Sequence, residues 1–374
     1  MRVIPLNIPY VPEISRKYIS EVLDGRHQQG DGQFTGRASK ILSKIVGGGE
    51  VLLTPSCTHA LEMASMLINL GPGDEVILPS YTFTSAAIAI TKFGAKPVFV
   101  DVEPNTKCIN VNQVREAITP KTKAISWVNY AGVAPDINAL IALSNEFGII
   151  LIEDNAHGLG GTYQGKPLGS FGDFATQSFH ATKNIQCGEG GALVINNEKF
   201  LERAEIIREK GTNRSRFVRG EINKYEWVDH GSSYLLAETL SALLVGQLEE
   251  FTAIQLKRQK IFDFYKENLE DWSKKYNYEL QFTSPGESHT SHMFYLIAES
   301  PLKRDVTIEK LKKAGVQALF HYQALADSKM GARYANLDRT FTTSQKLTRQ
   351  LFRLPLYFSL SSNDQERVVA ALTN

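Results

Sequence analysis

Nowhere in this chain do about 18 apolar residues run together, so no segment reads as a membrane-spanning helix. Cysteine is scarce. Only Cys57, Cys108 and Cys187 occur, odd in number and too scattered for a disulfide framework or a metal site, which suits a reducing compartment. An excess of one charge is also lacking. The formal net charge is +1 with 22% charged residues, which argues against a nucleic-acid-binding or acidic-tail protein. The first residues, MRVIPLNIPYVPEIS, hold neither the long apolar segment nor the small-residue cleavage site of a secretory signal. A cytoplasmic location is therefore expected. Internal repeats and low-complexity segments are absent as well. What is present is 374 residues, 43% of them hydrophobic, enough for a substantial core and about two domains.

From Val51 onward, strand-like runs alternate with helical segments. The runs are 51–54, 76–80, 97–102, 124–129, 149–154, 175–180 and 192–196. This alternation predicts an α/β fold built on a mainly parallel, helix-covered sheet of seven strands. Val76-Ile77-Leu78 and Val98-Phe99-Val100 are the continuous apolar runs that doubly covered strands require. A helix is expected at Glu13–Leu23, a single long helical stretch at Glu238–Asp271, and shorter elements at His292–Ile297, Thr307–Ala314 and Asp364–Leu372.

The stretch from Ile152 to Asn184 carries the chemistry. Asp154 follows the apolar run Ile149 to Ile152, and Lys183 follows the strand-like run Ala175 to Phe179. Ligands of open α/β sheets sit at the carboxyl ends of the parallel strands, so both groups should emerge at one mouth. A lysine and a carboxylate converging there suggest pyridoxal 5′-phosphate (PLP). That cofactor needs an amine for its Schiff base and an acid to keep the pyridine nitrogen protonated. For an isolated Asp and Lys, a surface lysine and a structural salt bridge would be the commoner fate.

The surrounding pattern overturns that. EDNAHG at 153–158, SFHATKN at 178–184 and GEGG at 188–191, in this order and spacing, resemble the DegT/DnrJ/EryC1/StrS family of PLP-dependent sugar aminotransferases. The resemblance runs from GDGQFTG at 30–36 to RLPLY at 353–357. REKGTNRS at 208–215 and VDHGSSYLL at 228–236 are similar in particular to dTDP-4-keto-6-deoxyglucose aminotransferases. It implies fold type I architecture, with a large PLP domain over 1–250 and a smaller α+β domain over 251–374. It also implies a homodimer with shared active sites, using glutamate and a nucleotide sugar to make an amino sugar for surface polysaccharide or O-antigen. A 3-keto dTDP-hexose, a UDP-4-keto sugar or a non-catalytic regulatory role are the rival readings. Family members that act as dehydratases carry His in place of the lysine, and Lys183 argues against that role.

The resemblance also assigns residues. Lys183 would carry the cofactor and then act as general base. Asp154 would bond the pyridinium nitrogen, and His157, where many members have Gln, the phenolic oxygen. Cys57 and Thr58 would hold the phosphate, mainly through backbone amides at a helix start, although hydroxyls there are also ordinary caps. Ser178 would join them, and Phe83 would stack on the ring. Tyr130, His180, His321 and Tyr322 would lie near the sugar, with Tyr130 equally readable as core. Arg214 and Arg219, in a basic segment, could contact a diphosphate or stay solvated. Ser233 stands where many members place an Asn that reaches the neighbouring subunit's phosphate. Leu235 replaces a usual Arg, and Ala324 and Ala326 replace a usual Pro and His.

Overall fold

The computed structural model describes residues 2–335 and 339–374. Seven strands form the main sheet: β1 (Glu50–Thr54), β2 (Glu75–Pro79), β3 (Lys96–Val100), β4 (Thr122–Val128), β5 (Ile150–Asp154), β6 (Phe174–Ser178) and β7 (Gly191–Ile195). Their order is β1-β7-β6-β5-β4-β2-β3. Only β7 runs against its neighbours, β1 and β6; the other pairs are parallel. Each matches an expected run within two residues. The runs are legible because strands covered on both faces are apolar throughout; Leu53, Ile77, Leu78, Val100, Ile125 and Val194 are fully buried.

Local chemistry sets the helix ends. Ser56 caps helix Cys57–Leu67 by accepting the His59 N–H. Asp136 caps Ile137–Phe147, which stops at Gly148 with φ +68°, a left-handed turn that favours glycine. Ser300 and Pro301 start the helix Pro301–Lys313, six residues before the expected Thr307. The long stretch expected at 238–271 is two helices, Glu238–Glu249 and Phe251–Lys275, broken at Glu250. The basic segment is not simply a loop: Arg214–Val218 forms one helical turn.

A second sheet, β8 (Tyr278–Leu280), β9 (Phe294–Ala298) and β10 (Leu351–Leu354), is antiparallel. Its own core gathers Phe262, Tyr265, Leu296, Phe352 and Val368. Ile4 joins this core, and its backbone pairs with Gly315 and Gln317, so the N-terminal segment packs with the C-terminal elements. Two contacts join the main sheet to the C-terminal elements. Asp101, just past β3, accepts the N–H groups of Thr343 and Ser344 at the start of helix Thr342–Gln350. The Leu325 amide donates to the Ser80 carbonyl beyond β2.

Candidate active site

The carboxyl ends of β1, β2, β4, β5 and β6 open into one cleft of about 680 Å³, closed on the far side by His292, His321, Tyr322 and Arg353. Its size suits a ligand of drug-like or cofactor dimensions.

Asp154 is the last residue of β5 and is 6% exposed. It accepts the Ala156 amide at 3.1 Å. Burial pushes its carboxyl above the usual range, against the opposing pull of that amide and of Lys183. Behind it, a buried network fixes the strand end. Asn129 donates to Glu153 and to Asn155 at 2.8 Å each, while Glu153 also accepts the Gly169 and Phe171 amides. Lys183 follows a tight turn closed by its own N–H on the His180 carbonyl, 2.8 Å. Burial lowers its amine to about 8, with the Arg353 charge acting in the same direction. An amine so poised reaches its neutral, nucleophilic form readily near neutral pH.

His157 lies across from them. Its Nδ1 accepts the Ala131 N–H at 3.3 Å, so the ring proton resides on Nε2, which faces the Tyr322 hydroxyl at 3.2 Å. Burial, Lys183 and Arg353 hold this imidazole well below its usual range, and it is neutral. Ser56, Cys57 and Thr58, at the start of helix Cys57–Leu67, line the cleft. Thr58 shares a hydroxyl bond with Ser85 at 2.7 Å. Gly191 explains part of the GEGG motif: a Cβ there would overlap the Cys57 amide.

These groups fit PLP without adjustment. A buried acid and a depressed lysine amine face one cavity, a neutral N–H donor stands opposite, and a helix start is open to a phosphate.

The comparisons agree. The family model described as the DegT/DnrJ/EryC1/StrS aminotransferase family matches residues 11–373. The chain belongs to that family. The protein MJ1066 of Methanocaldococcus jannaschii, itself uncharacterized, is 30% identical over 376 residues, spanning 97% of this chain and 96% of MJ1066. The aminotransferase TlmJ from Streptoalloteichus hindustanus superposes with a TM-score of 0.90 at 26% identity, covering 99% of this chain and 98% of TlmJ. Spr1654 of Streptococcus pneumoniae, a proposed sugar aminotransferase solved with PLP, gives a TM-score of 0.89 at 25% identity, covering 99% and 98%. The chain is thus a PLP-dependent sugar aminotransferase of fold type I.

Cys57, Thr58, Phe83, Asp154, His157, Ser178, His180, Lys183, His321 and Tyr322 all line the cleft. Phe83 is 56% exposed, its ring 6.0 Å from that of Tyr322, open to a stacking partner. His180 sits at the rim, hydrogen-bonded to Thr182 at 2.9 Å. Four expected residues do not reach the cleft. Tyr130 is fully buried behind the wall, its hydroxyl 2.7 Å from His321 Nδ1. Arg219 is held by Glu205 and Glu221, and Arg214 faces Glu209 at 3.9 Å. Ser233 is exposed and pairs through its backbone with Glu209.

Several lining residues escaped the sequence reading, His292 and Arg353 among them. His292 stacks on His157, and Arg353 projects from β10. The signal for Arg353 was a lone cation inside the apolar run LFRLPL. Among the described residues no group of His, Cys, Asp or Glu is arranged to hold a metal, and no helix is long and apolar enough to cross a membrane.

Proposed function

We propose that this enzyme moves the amino group of glutamate to the C4 keto carbon of dTDP-4-keto-6-deoxyglucose. The product is a dTDP-4-amino-4,6-dideoxyhexose destined for surface polysaccharide or O-antigen. The work is done in the cytoplasm by a homodimer with shared active sites. The observation that carries the chemistry is Lys183, its amine lowered to about 8, in one cavity with buried Asp154. The likeness of REKGTNRS and VDHGSSYLL to dTDP-sugar aminotransferases supports the sugar.

PLP, when bound, supplies an electron sink for the bond-breaking at the amine-bearing carbon. The chain does the rest. Asp154 keeps a proton on the pyridine nitrogen through a charge-assisted bond. His157 donates from Nε2 to the phenolic oxygen. The Cys57 and Thr58 amides and the Ser178 hydroxyl hold the phosphate, and Phe83 covers one ring face. Lys183 Nζ takes the proton from the donor α-carbon and returns it on the same face. His180, His321 and Tyr322 border the sugar. Ser233 reaches the cofactor phosphate of the partner subunit's site, and Arg214 and Arg219 contact the diphosphate of the nucleotide sugar. An exposed apolar set beside them, Phe217, Val218 and Trp227, supports burial against a second copy. The large domain spans 1–250 and the small one 251–374, with the N-terminal strand segment lent to the latter.

The test is one reaction: purified protein, PLP, glutamate and dTDP-4-keto-6-deoxyglucose, analysed by mass and by NMR of the C4 configuration. An amino sugar of the expected mass supports the assignment. If glutamate converts the cofactor to its amine form but no sugar product appears, another keto sugar is the substrate.

A further inference from the structure

The turn that follows β4 sets two imidazoles at once. Tyr130, Ala131 and Gly132 form one short helical turn, with Ala131 at φ +53° and Gly132 at φ +87°. Ala131 thus holds a left-handed backbone that glycine adopts far more readily, and such strain persists only where the surroundings enforce it. Here they do. A Cβ at Gly132 would overlap the Thr290 hydroxyl, which itself donates to the His157 carbonyl at 2.9 Å. The turn is thereby wedged beside His157.

Two donors leave this turn. The Ala131 amide donates to His157 Nδ1 at 3.3 Å. The Tyr130 hydroxyl stands 2.7 Å from His321 Nδ1 and meets no other group with hydrogen-bond geometry among the described residues. Tyr130 is fully buried. Were His321 Nδ1 the donor, the Tyr130 proton would be left unpaired in the core, at a cost that outweighs the bond. The hydroxyl therefore donates, Nδ1 accepts, and the His321 proton sits on Nε2. That nitrogen has no partner among the described residues, and the ring lines the cleft. Tyr322 completes the row. His157 Nε2 donates to its hydroxyl at 3.2 Å, and nothing among the described residues accepts the hydroxyl proton in return. Burial keeps both imidazoles neutral, and burial with the Asp154 charge keeps the phenol protonated.

Three neighbouring groups on this wall thus present protons to the cleft. An oxygen that can only accept suits them best. The cofactor's phenolic oxygen takes His157. A keto sugar brings a second such oxygen, on the carbon that must come within reach of Lys183, and the Lys183 charge is felt at His321. Sugar hydroxyls also need an acceptor for their own proton, so they fit a wall of donors less well.

We propose that Tyr130 is a positioning residue: its hydroxyl holds His321 as the Nε2–H tautomer, so that His321 donates a hydrogen bond to the keto oxygen of the sugar. This rests on the sugar-aminotransferase reading but not on which keto sugar is the substrate. A bond to that oxygen draws charge from the carbonyl carbon and fixes its orientation toward the incoming amine.

Two measurements on the PLP-loaded enzyme test this. Nitrogen NMR of protein carrying labelled histidine, with the His321 signals assigned by their loss in His321→Leu, is expected to show His321 protonated on Nε2 and bare on Nδ1. A proton on Nδ1 would overturn the proposal, whatever the substrate. Single-turnover spectroscopy then separates the half-reactions. Glutamate, or whichever amino acid converts wild type, drives the first; dTDP-4-keto-6-deoxyglucose, or whichever keto sugar wild type accepts, drives the second. Tyr130→Phe removes only the hydroxyl. It is expected to slow the sugar half roughly tenfold at low sugar and the amino acid half by no more than about twofold. In a His321→Leu background the same change should alter the sugar half by less than about twofold, because the hydroxyl then has nothing to position. Equal slowing of both halves, or equal slowing with and without His321, would overturn the proposal in favour of a packing role. An unchanged sugar half in Tyr130→Phe would overturn it outright. A wild type that discharges its amine form to no keto sugar would refute the sugar-aminotransferase reading, and the keto-oxygen bond with it, while the nitrogen spectrum still decides the tautomer.

Discussion

The imidazole rings of His157 and His292 stack with centroids 4.3 Å apart and planes inclined by 21°. Both are neutral, because burial lowers each well below the usual histidine range. Their tautomers differ. His157 keeps its proton on Nε2 since Nδ1 accepts from Ala131, whereas His292 Nδ1 faces the Asn184 Oδ1 at 3.0 Å and must donate. Asn184 is in turn fixed by donating to the Thr290 carbonyl at 2.7 Å. The residue beside Lys183 therefore orients the stack that presents the His157 donor.

A donor at Nε2 can be replaced by another donor. His157→Gln is expected to hold PLP within a few-fold of wild type, whereas His157→Leu should bind it about tenfold more weakly, the loss of one hydrogen bond to a charged or polarised acceptor. Titration of PLP absorbance measures both. Equal affinity for the leucine variant would remove His157 from the cofactor site.

The lowered Lys183 amine makes a stability prediction for the cofactor-free protein. Its folded value, about 8, lies below the unfolded value of about 10.4. Folding therefore carries its full penalty below pH 8; the penalty fades as pH rises from 8 and vanishes above about 10.4. Lys183→Met should melt roughly 2–4 °C higher than wild type at pH 7, with the gain shrinking toward pH 10. A gain independent of pH would mean the lysine is not desolvated.

Glu153 accepts from Asn129, Gly169 and Phe171 within the wall behind Asp154. Glu153→Ala leaves those buried donors unpaired and is expected to cost about 3–5 kcal/mol. Urea unfolding checks the figure. Glu153→Gln should cost less, since its carbonyl still accepts. A cost below about 1 kcal/mol for the alanine variant would show that the network does not support the strand end.

Trp227 is 75% exposed and Val218 65%, more apolar surface than a monomer has reason to keep together. Trp227→Glu is expected to shift the sedimentation profile from dimer toward monomer and to weaken PLP binding with it. An unchanged dimer would place the subunit contact elsewhere.

Much of this was legible in the sequence, for identifiable reasons. The seven central strands are apolar runs bounded by turns; Asp154 ends one of them, and Lys183 follows another by five residues. The break at Glu250 was not legible, because both flanking segments keep a helical pattern and nothing local interrupts it. Nor was the pairing of Ile4 with Gly315 and Gln317, which joins opposite ends of the chain. His292 and Arg353 were missed for the same reason. Each reaches the cleft from a segment more than 100 residues beyond Lys183; the lone cation in LFRLPL set Arg353 apart but did not show where it would point. Nor were the partners of Arg214 and Arg219 legible: the basic run forms ion pairs with Glu205, Glu209 and Glu221 once the chain folds.

The most direct test of the account is reduction of the PLP-loaded enzyme with borohydride, followed by digestion and mass spectrometry. The account predicts a single pyridoxyl group, carried on Lys183, and none on the Lys183→Ala variant, which should also have no transaminase activity. A pyridoxyl group on any other lysine, or transaminase activity surviving in Lys183→Ala, would contradict it.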